Sequence, residues 1–117
     1  MNFKDSKPIY LQIADKICDE ILSDKYHESE RIPSVREYAS LVEVNPNTIV
    51  RTFEYLQTNE IIFNKRGMGY FVNVSAKETI IKMRKQNFID ESLPDLFREM
   101  DLLGIDIDEI IALYNNR

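Results

Sequence analysis

The chain has 117 residues, of which 44% are hydrophobic and 30% charged, with a formal net charge of −5. That is enough for one ordinary domain, or a small domain with an extension, and the composition is globular. No apolar run approaches ~20 residues, the first residues contain no apolar leader core, and the single cysteine, Cys18, excludes an internal disulfide and fits a reducing cytoplasm.

In chain order, Pro8 can open a helix running to about Ser23, with Ile9, Ile13, Ile17 and Ile21 repeating every fourth residue. Ala14, Cys18 and Leu22 lie beside that stripe, and Gln12, Asp15, Lys16, Asp19 and Glu20 fill the other side. Cys18 therefore reads as core packing. Asp24 to Arg31 is polar and loop-like, and its His27 has no second metal-ligand type near it, so it reads as a surface residue. A second helix follows over about Ser34 to Val42. Ser34 and Glu37 form its capping box, and Tyr38, Ala39, Leu41 and Val42 are expected to face inward.

Asn45 before Pro46 signals a third helix, to about Asn59, because a proline in the first turn has no needed N–H to lose. Ile49, Phe53 and Leu56 mark its buried face. Asn47, Arg51, Glu54, Tyr55 and Thr58 fall opposite, with Thr48 on the flank. Two short helices joined tightly, the second polar at its start, make a helix-turn-helix. Ile61–Asn64 and Tyr70–Val74 then flank Lys65-Arg66-Gly67-Met68-Gly69, a hairpin with a basic, glycine-containing tip. Placed after a recognition helix, that hairpin reads as a wing.

From Ala76 the pattern is helical again, basic at first and acidic after residue 87. Leu93-Pro94 suggests a break and a new start. Leu96, Phe97, Met100 and Leu103 form a stripe ending at Gly104, and Asp106 and Glu109 open a last helix. The tail also carries Phe88, Leu93, Ile110, Ile111 and Tyr114, more apolar surface than about thirty residues can bury alone. It must fold back on the first helix or pair with a second chain. Pairing explains more, since two helix-turn-helix units on a two-fold axis read a pseudo-palindrome.

Four motifs occur in register: Pro8-Ile-Tyr-Leu-Gln-Ile13, Arg31-Ile-Pro-Ser-Val-Arg-Glu37, Val44-Asn-Pro-Asn-Thr48 and Arg66-Gly-x-Gly-Tyr-Phe-Val72. Together they resemble the winged-helix DNA-binding domain of GntR-family bacterial transcription regulators over about residues 8 to 75. The short helical tail resembles the YtrA-like subfamily. The resemblance implies a mainly α fold with a small β-hairpin wing: a winged helix-turn-helix domain over residues 7–75, then a helical dimerisation tail over 76–117. It implies DNA contacts by Arg36, Asn45, Asn47, Thr48 and Arg51, with Lys65, Arg66 and Gly67 placing the wing along the minor groove. It also implies a homodimer.

Two positions depart from the family. Val50 stands where arginine is frequent, which removes a DNA contact. Glu43 stands where glycine is usual in the turn, at a cost of up to ~1 kcal/mol if the backbone needs φ > 0.

Asparagine can read adenine and arginine guanine, which makes Asn47 and Arg51 the base-reading candidates; Arg36 suits phosphate. Double-stranded DNA is thus the expected partner and repression the expected outcome, with no cofactor. The net acidity and Val50 also fit a second reading, a winged helix used as a protein-interaction module. With one His, one Cys and no glycine-rich loop after a strand, no nucleophile, metal or nucleotide site assembles, so the sequence argues against an enzyme. The tail is too small for a ~300 Å³ pocket within one chain, so any small-molecule effector would sit between two.

Overall fold

The computed structural model describes residues 7–117; segment 1–6, part of the stretch whose sequence carries no leader core, lies outside them. The chain divides into two compact units, one ending at Ile81 and one comprising Lys82–Arg117.

In the first unit, helix α1 spans Ile9–Leu22, α2 Val35–Val42 and α3 Pro46–Thr58. Strands β1, Ile62–Lys65, and β2, Gly69–Val72, pair antiparallel with Phe63 opposite Phe71. The backbone of Glu30–Ile32 runs along the other side of β2: Ile32 N–H donates to the Tyr70 carbonyl and Val72 N–H to that of Glu30 (both 2.9 Å). The polar loop expected there thus becomes, in part, a third edge of the wing. It does so because β2 would otherwise leave a row of backbone groups unpaired.

Side-chain caps fix the starts of α2 and α3. Ser34 accepts from Glu37 N–H (3.1 Å) while Glu37 accepts from Ser34 N–H (2.8 Å), the reciprocal box the sequence predicts. Pro8 caps α1 from just outside and does not enter its first turn.

The core is built from Ile13, Ala14, Ile17, Cys18 and Ile21 of α1, Tyr38 and Ala39 of α2, and Ile49, Phe53 and Leu56 of α3, closed by Ile32, Ile61, Ile62 and Val72. Ala76 and Ile80 are also buried, so the first turns of α4, Ala76–Asn87, belong to this unit and extend it past residue 75.

Two inward expectations and one outward expectation need correction. Ile9 is exposed, at the opening turn. Leu41 is 66% exposed, because it lies about a quarter-turn off the face made by Tyr38, Ala39 and Val42. Glu20, expected on the polar side of α1, is 8% exposed. It sits on the flank of the buried stripe, where Tyr38 Oη donates to one carboxylate oxygen (2.9 Å) and Lys16 and Lys25 donate to the other (3.0 and 3.3 Å). Burial alone would raise its pKa; the donors from Lys16, Tyr38 and Lys25 outweigh that and hold it below the usual value.

In the second unit α4 does not break at Leu93-Pro94. A π-helical turn, Phe88–Ser92, joins it to α5, Leu93–Leu103, with Leu93 N–H donating to the Phe88 carbonyl five residues back. Proline at 94 offers no N–H and its ring would crowd the carbonyl four residues earlier; the wider turn accommodates both. Helix α5 ends at Gly104 (φ 70°), with Ile105 N–H bonded to the Met100 carbonyl (2.9 Å). Helix α6, Ile107–Asn115, starts from the expected Asp106–Glu109 box. No helix among the described residues is long and apolar enough to cross a membrane.

Replacing Glu20 with leucine leaves the Tyr38 hydroxyl buried without its acceptor, and should cost about 1–3 kcal/mol in chemical denaturation. Because the folded-state pKa of Glu20 is depressed, its contribution is present above the unfolded value of 4.5 and is lost as pH falls through the folded value. The stability difference between the wild type and the leucine variant should therefore shrink below about pH 4.5.

Candidate nucleic-acid interface

The start of α3 is fixed by Asn45. Its side-chain oxygen accepts from Asn47 N–H (2.8 Å), its carbonyl accepts from Thr48 N–H (2.9 Å), and Pro46 has no N–H to satisfy. The backbone donors of the first turn are therefore largely used internally. What this end offers a partner is side chains in a region of partial positive charge. Asn45 and Asn47 are exposed and Thr48 is half-buried.

Arg51 lies one turn beyond Asn47 on the same face and is exposed. Its guanidinium sits 4.2 Å from the centroid of the Tyr10 ring, and Tyr10 meets Tyr55 edge-on at 6.5 Å. Tyr55, expected on the open face, is instead half-buried in this stack, and burial pushes its hydroxyl pKa up. Tyr10 is the residue of this candidate site that sequence reasoning missed. The Pro8-Ile-Tyr motif drew attention to it, but not to its ring supporting an arginine 41 positions later. Stacking uses the guanidinium's face and leaves its in-plane N–H groups available to an acceptor, so the stack pre-orients Arg51 without occupying it. Thr52 completes the junction: buried beside Phe53, its hydroxyl donates to the Tyr10 carbonyl (2.8 Å), with the Thr48 carbonyl at 3.1 Å.

Val50, beside Arg51, is 42% exposed and presents an apolar surface on the same helix. Glu54 is exposed one turn further on and places a negative charge near Arg51.

Arg36, the second residue of α2, is exposed and forms no ion pair with a described residue. It lines an open groove of about 730 Å³ with Tyr26, Arg31 and Leu41. On the wing, Lys65 Nζ lies 5.0 Å from the Phe71 ring, and Phe71 stacks on Phe63 at 5.8 Å. Arg66 is exposed at the tip. Gly67 (φ 79°) takes the third place of the turn that Met68 N–H closes on the Lys65 carbonyl (2.8 Å). The structure thus places all the expected contact residues in the first unit, on the three elements of the motif.

In the tail, Phe97, Leu103 and Tyr114 are 49%, 69% and 62% exposed, and Phe88, Leu96 and Ile111 are open as well. Leu93 and Ile110 are half-buried. Met100 is only 7% exposed: it already packs within the single chain and offers little surface for pairing.

Three helices with a capped, polar recognition-helix start and a basic hairpin define a winged helix-turn-helix protein. Residues 9–72 match the family model "Bacterial regulatory proteins, gntR family", and the chain belongs to that family. It is 37% identical to the uncharacterised HTH-type transcriptional regulator YhcF of Bacillus subtilis, over 93% of this chain and 88% of that one. It is 30% identical to the HTH-type transcriptional repressor YtrA of the same organism, over 92% and 82%. Among solved structures, it resembles a putative GntR-family transcriptional regulator from Bacteroides thetaiotaomicron with a TM-score of 0.84 and 54% identity, over 92% of this chain and 94% of that one. The DNA-binding domain of AraR in complex with operator ORR3 matches with a TM-score of 0.53 and 26% identity, over 56% of this chain and 78% of that one.

The turn between α2 and α3 contains one strained residue. Glu43 adopts φ 55°, ψ 51°, the left-handed conformation that glycine takes freely. Glu43→Gly should raise stability by up to ~1 kcal/mol, the relief of left-handed strain exceeding the entropy glycine adds to the unfolded chain. A higher denaturation midpoint at unchanged m-value is the expected readout.

Proposed function

We propose that this protein is a DNA-binding transcriptional repressor that acts as a homodimer on a short inverted repeat. The observation that carries the reading is the exposed polar face of α3, where Asn47 and the Tyr10-supported Arg51 lie one turn apart at the capped helix start. In this reading that end of α3 enters the major groove, Arg51 reads a guanine edge and Asn47 an adenine. Val50 meets a thymine methyl. Asn45, Thr48 and Arg36 hold phosphates, and Lys65, Arg66 and the Gly67 turn lie along the minor groove. Two relatives support the outcome: one is a repressor by name, and another is solved on its operator. Repression needs only occupancy of the site and no chemical step.

Net acidity does not oppose this, because binding depends on where cations stand. It does mean that affinity for random DNA should be low and that the specific complex should be salt-sensitive. A dimer setting Arg36, Lys65 and Arg66 of each chain on phosphates neutralises about six charges, so the dissociation constant should weaken roughly a thousandfold between 50 and 200 mM salt. Selection from a genomic fragment pool, followed by anisotropy titration, supplies the test. Arg51→Ala should cost ~1–3 kcal/mol and relax preference at one base pair per half-site. Equal affinity for all fragments at moderate salt would sink the proposal.

Dimerisation is proposed through the tail. The open apolar residues of α5 and α6, with Phe88, exceed what isolated surface residues account for, and a second copy covers them symmetrically. The wild type should sediment as a dimer at micromolar concentration. The double variant Phe97→Asp, Leu103→Asp should sediment as a monomer and bind the operator at least a hundredfold more weakly. A wild type that is monomeric at that concentration overturns this part.

A further inference from the structure

Arg31 opens one of the sequence motifs but has no part in the contacts proposed above. Its Nε donates to the carbonyl of Met68 at the wing tip (3.1 Å), 37 positions away. One terminal nitrogen lies 3.7 Å from Glu37 Oε1, the same oxygen that accepts the Ser34 N–H in the α2 capping box. Its backbone bridges to Phe71 of β2. Room for the side chain comes from Gly69: a Cβ there would stand 2.9 Å from Arg31 Nε.

We infer that Arg31 is a positioning residue that props the wing tip against the start of α2. Past the Lys65–Gly69 pair the hairpin is a two-stranded end, and such ends are weakly held on their own. The tip has one internal backbone bond, Met68 N–H to Lys65. The Met68 carbonyl then receives a charge-assisted donor from outside the hairpin. Arginine suits the place because its planar fork directs Nε toward the wing and a terminal nitrogen toward Glu37 at once. A lysine, a compact point charge on a flexible stem, lacks a fork that is fixed toward both. The Glu37 contact is an exposed ion pair at 3.7 Å, beyond hydrogen-bond reach, so the 3.1 Å bond to Met68 is the stronger half. Fixing the tip fixes where Lys65 and Arg66 stand relative to Arg36. The consequence for DNA, though not the brace itself, rests on the DNA-binding reading.

Two variants of the full chain test this, Arg31→Ala and Arg31→Lys. In the free protein the Met68 amide should exchange hydrogen at least fivefold faster in both, with the amides of α1 and α3 unchanged. Wild-type protection in either variant overturns the proposal, since the lysine result would mean that charge alone suffices. On an operator fragment both variants should bind about tenfold more weakly. In a Lys65→Ala, Arg66→Ala background, Arg31→Ala should cost less than twofold, because the brace then has no wing cations to place. An undiminished cost there shows that Arg31 acts by another route and overturns the proposal. If the wild type selects no operator, the DNA-binding reading is what fails, and the exchange rates alone decide the role of Arg31.

Discussion

The burial of Phe53 is the constraint on which the first unit depends. This ring, fully buried in α3, lies 4.8 Å from Tyr70 of β2 in an edge-on arrangement and 6.4 Å from Tyr38 of α2. One side chain therefore fixes the recognition helix against both its partner helix and its wing. Burying such a ring stabilises by ~1.5–3 kcal/mol, and the aromatic pairs add to that. Thr52, its neighbour, ties the same turn of α3 to the Tyr10 carbonyl of α1. All three flanking elements are thus held at the middle of α3. Its N-terminal end is left for polar side chains, which is the division of labour that reading a groove requires.

That division explains how an acidic chain can host a nucleic-acid surface. The contacts proposed for DNA are few, and each is prepared locally. Asn45 caps the helix and consumes its backbone donors; Arg51 rests on Tyr10; the wing tip leans on Arg31. A prepared arginine loses less rotamer freedom on binding, and rotamer freedom for this side chain is worth about 2 kcal/mol. Preparation thereby offsets some of the attraction that a strongly basic surface would supply. It also favours specificity, since a non-specific complex gains little from contacts aimed at particular edges.

The local signals in the sequence were reliable where the physics is local. The Ser34–Glu37 box, the Asn45–Pro46 start, the Asp106–Glu109 box and the Gly104 stop involve residues within four positions of one another, and each appears in the structure. The Ile13, Ile17, Ile21 and Ile49, Phe53, Leu56 faces were legible for the same reason. Long-range pairings were not. Glu20 looks solvated from its own helix, and its burial depends on a tyrosine 18 positions on. Tyr10 with Arg51, and Arg31 with Met68, join elements whose approach no periodicity reports. Leu93-Pro94 marks the start of α5, as expected, but without a break: a proline rules out the regular helix but not a wider turn, and the chain took the wider turn.

The tail applies the same reasoning to a surface. Its elements are well specified, with a π-helical turn, a glycine stop and a capping box, so its exposed Phe97, Leu102, Leu103, Leu113 and Tyr114 cannot be ascribed to a poorly formed helix. In the proposed dimer a second copy covers residues of that size, which well-formed helices leave open in the single chain. Under that proposal symmetry gives the acidic tail its function. A first unit with only a few prepared contacts reads one half-site weakly, and joining two of them makes the second engagement effectively intramolecular. In this reading the apolar surface that the single chain leaves uncovered supplies the affinity that its charge does not.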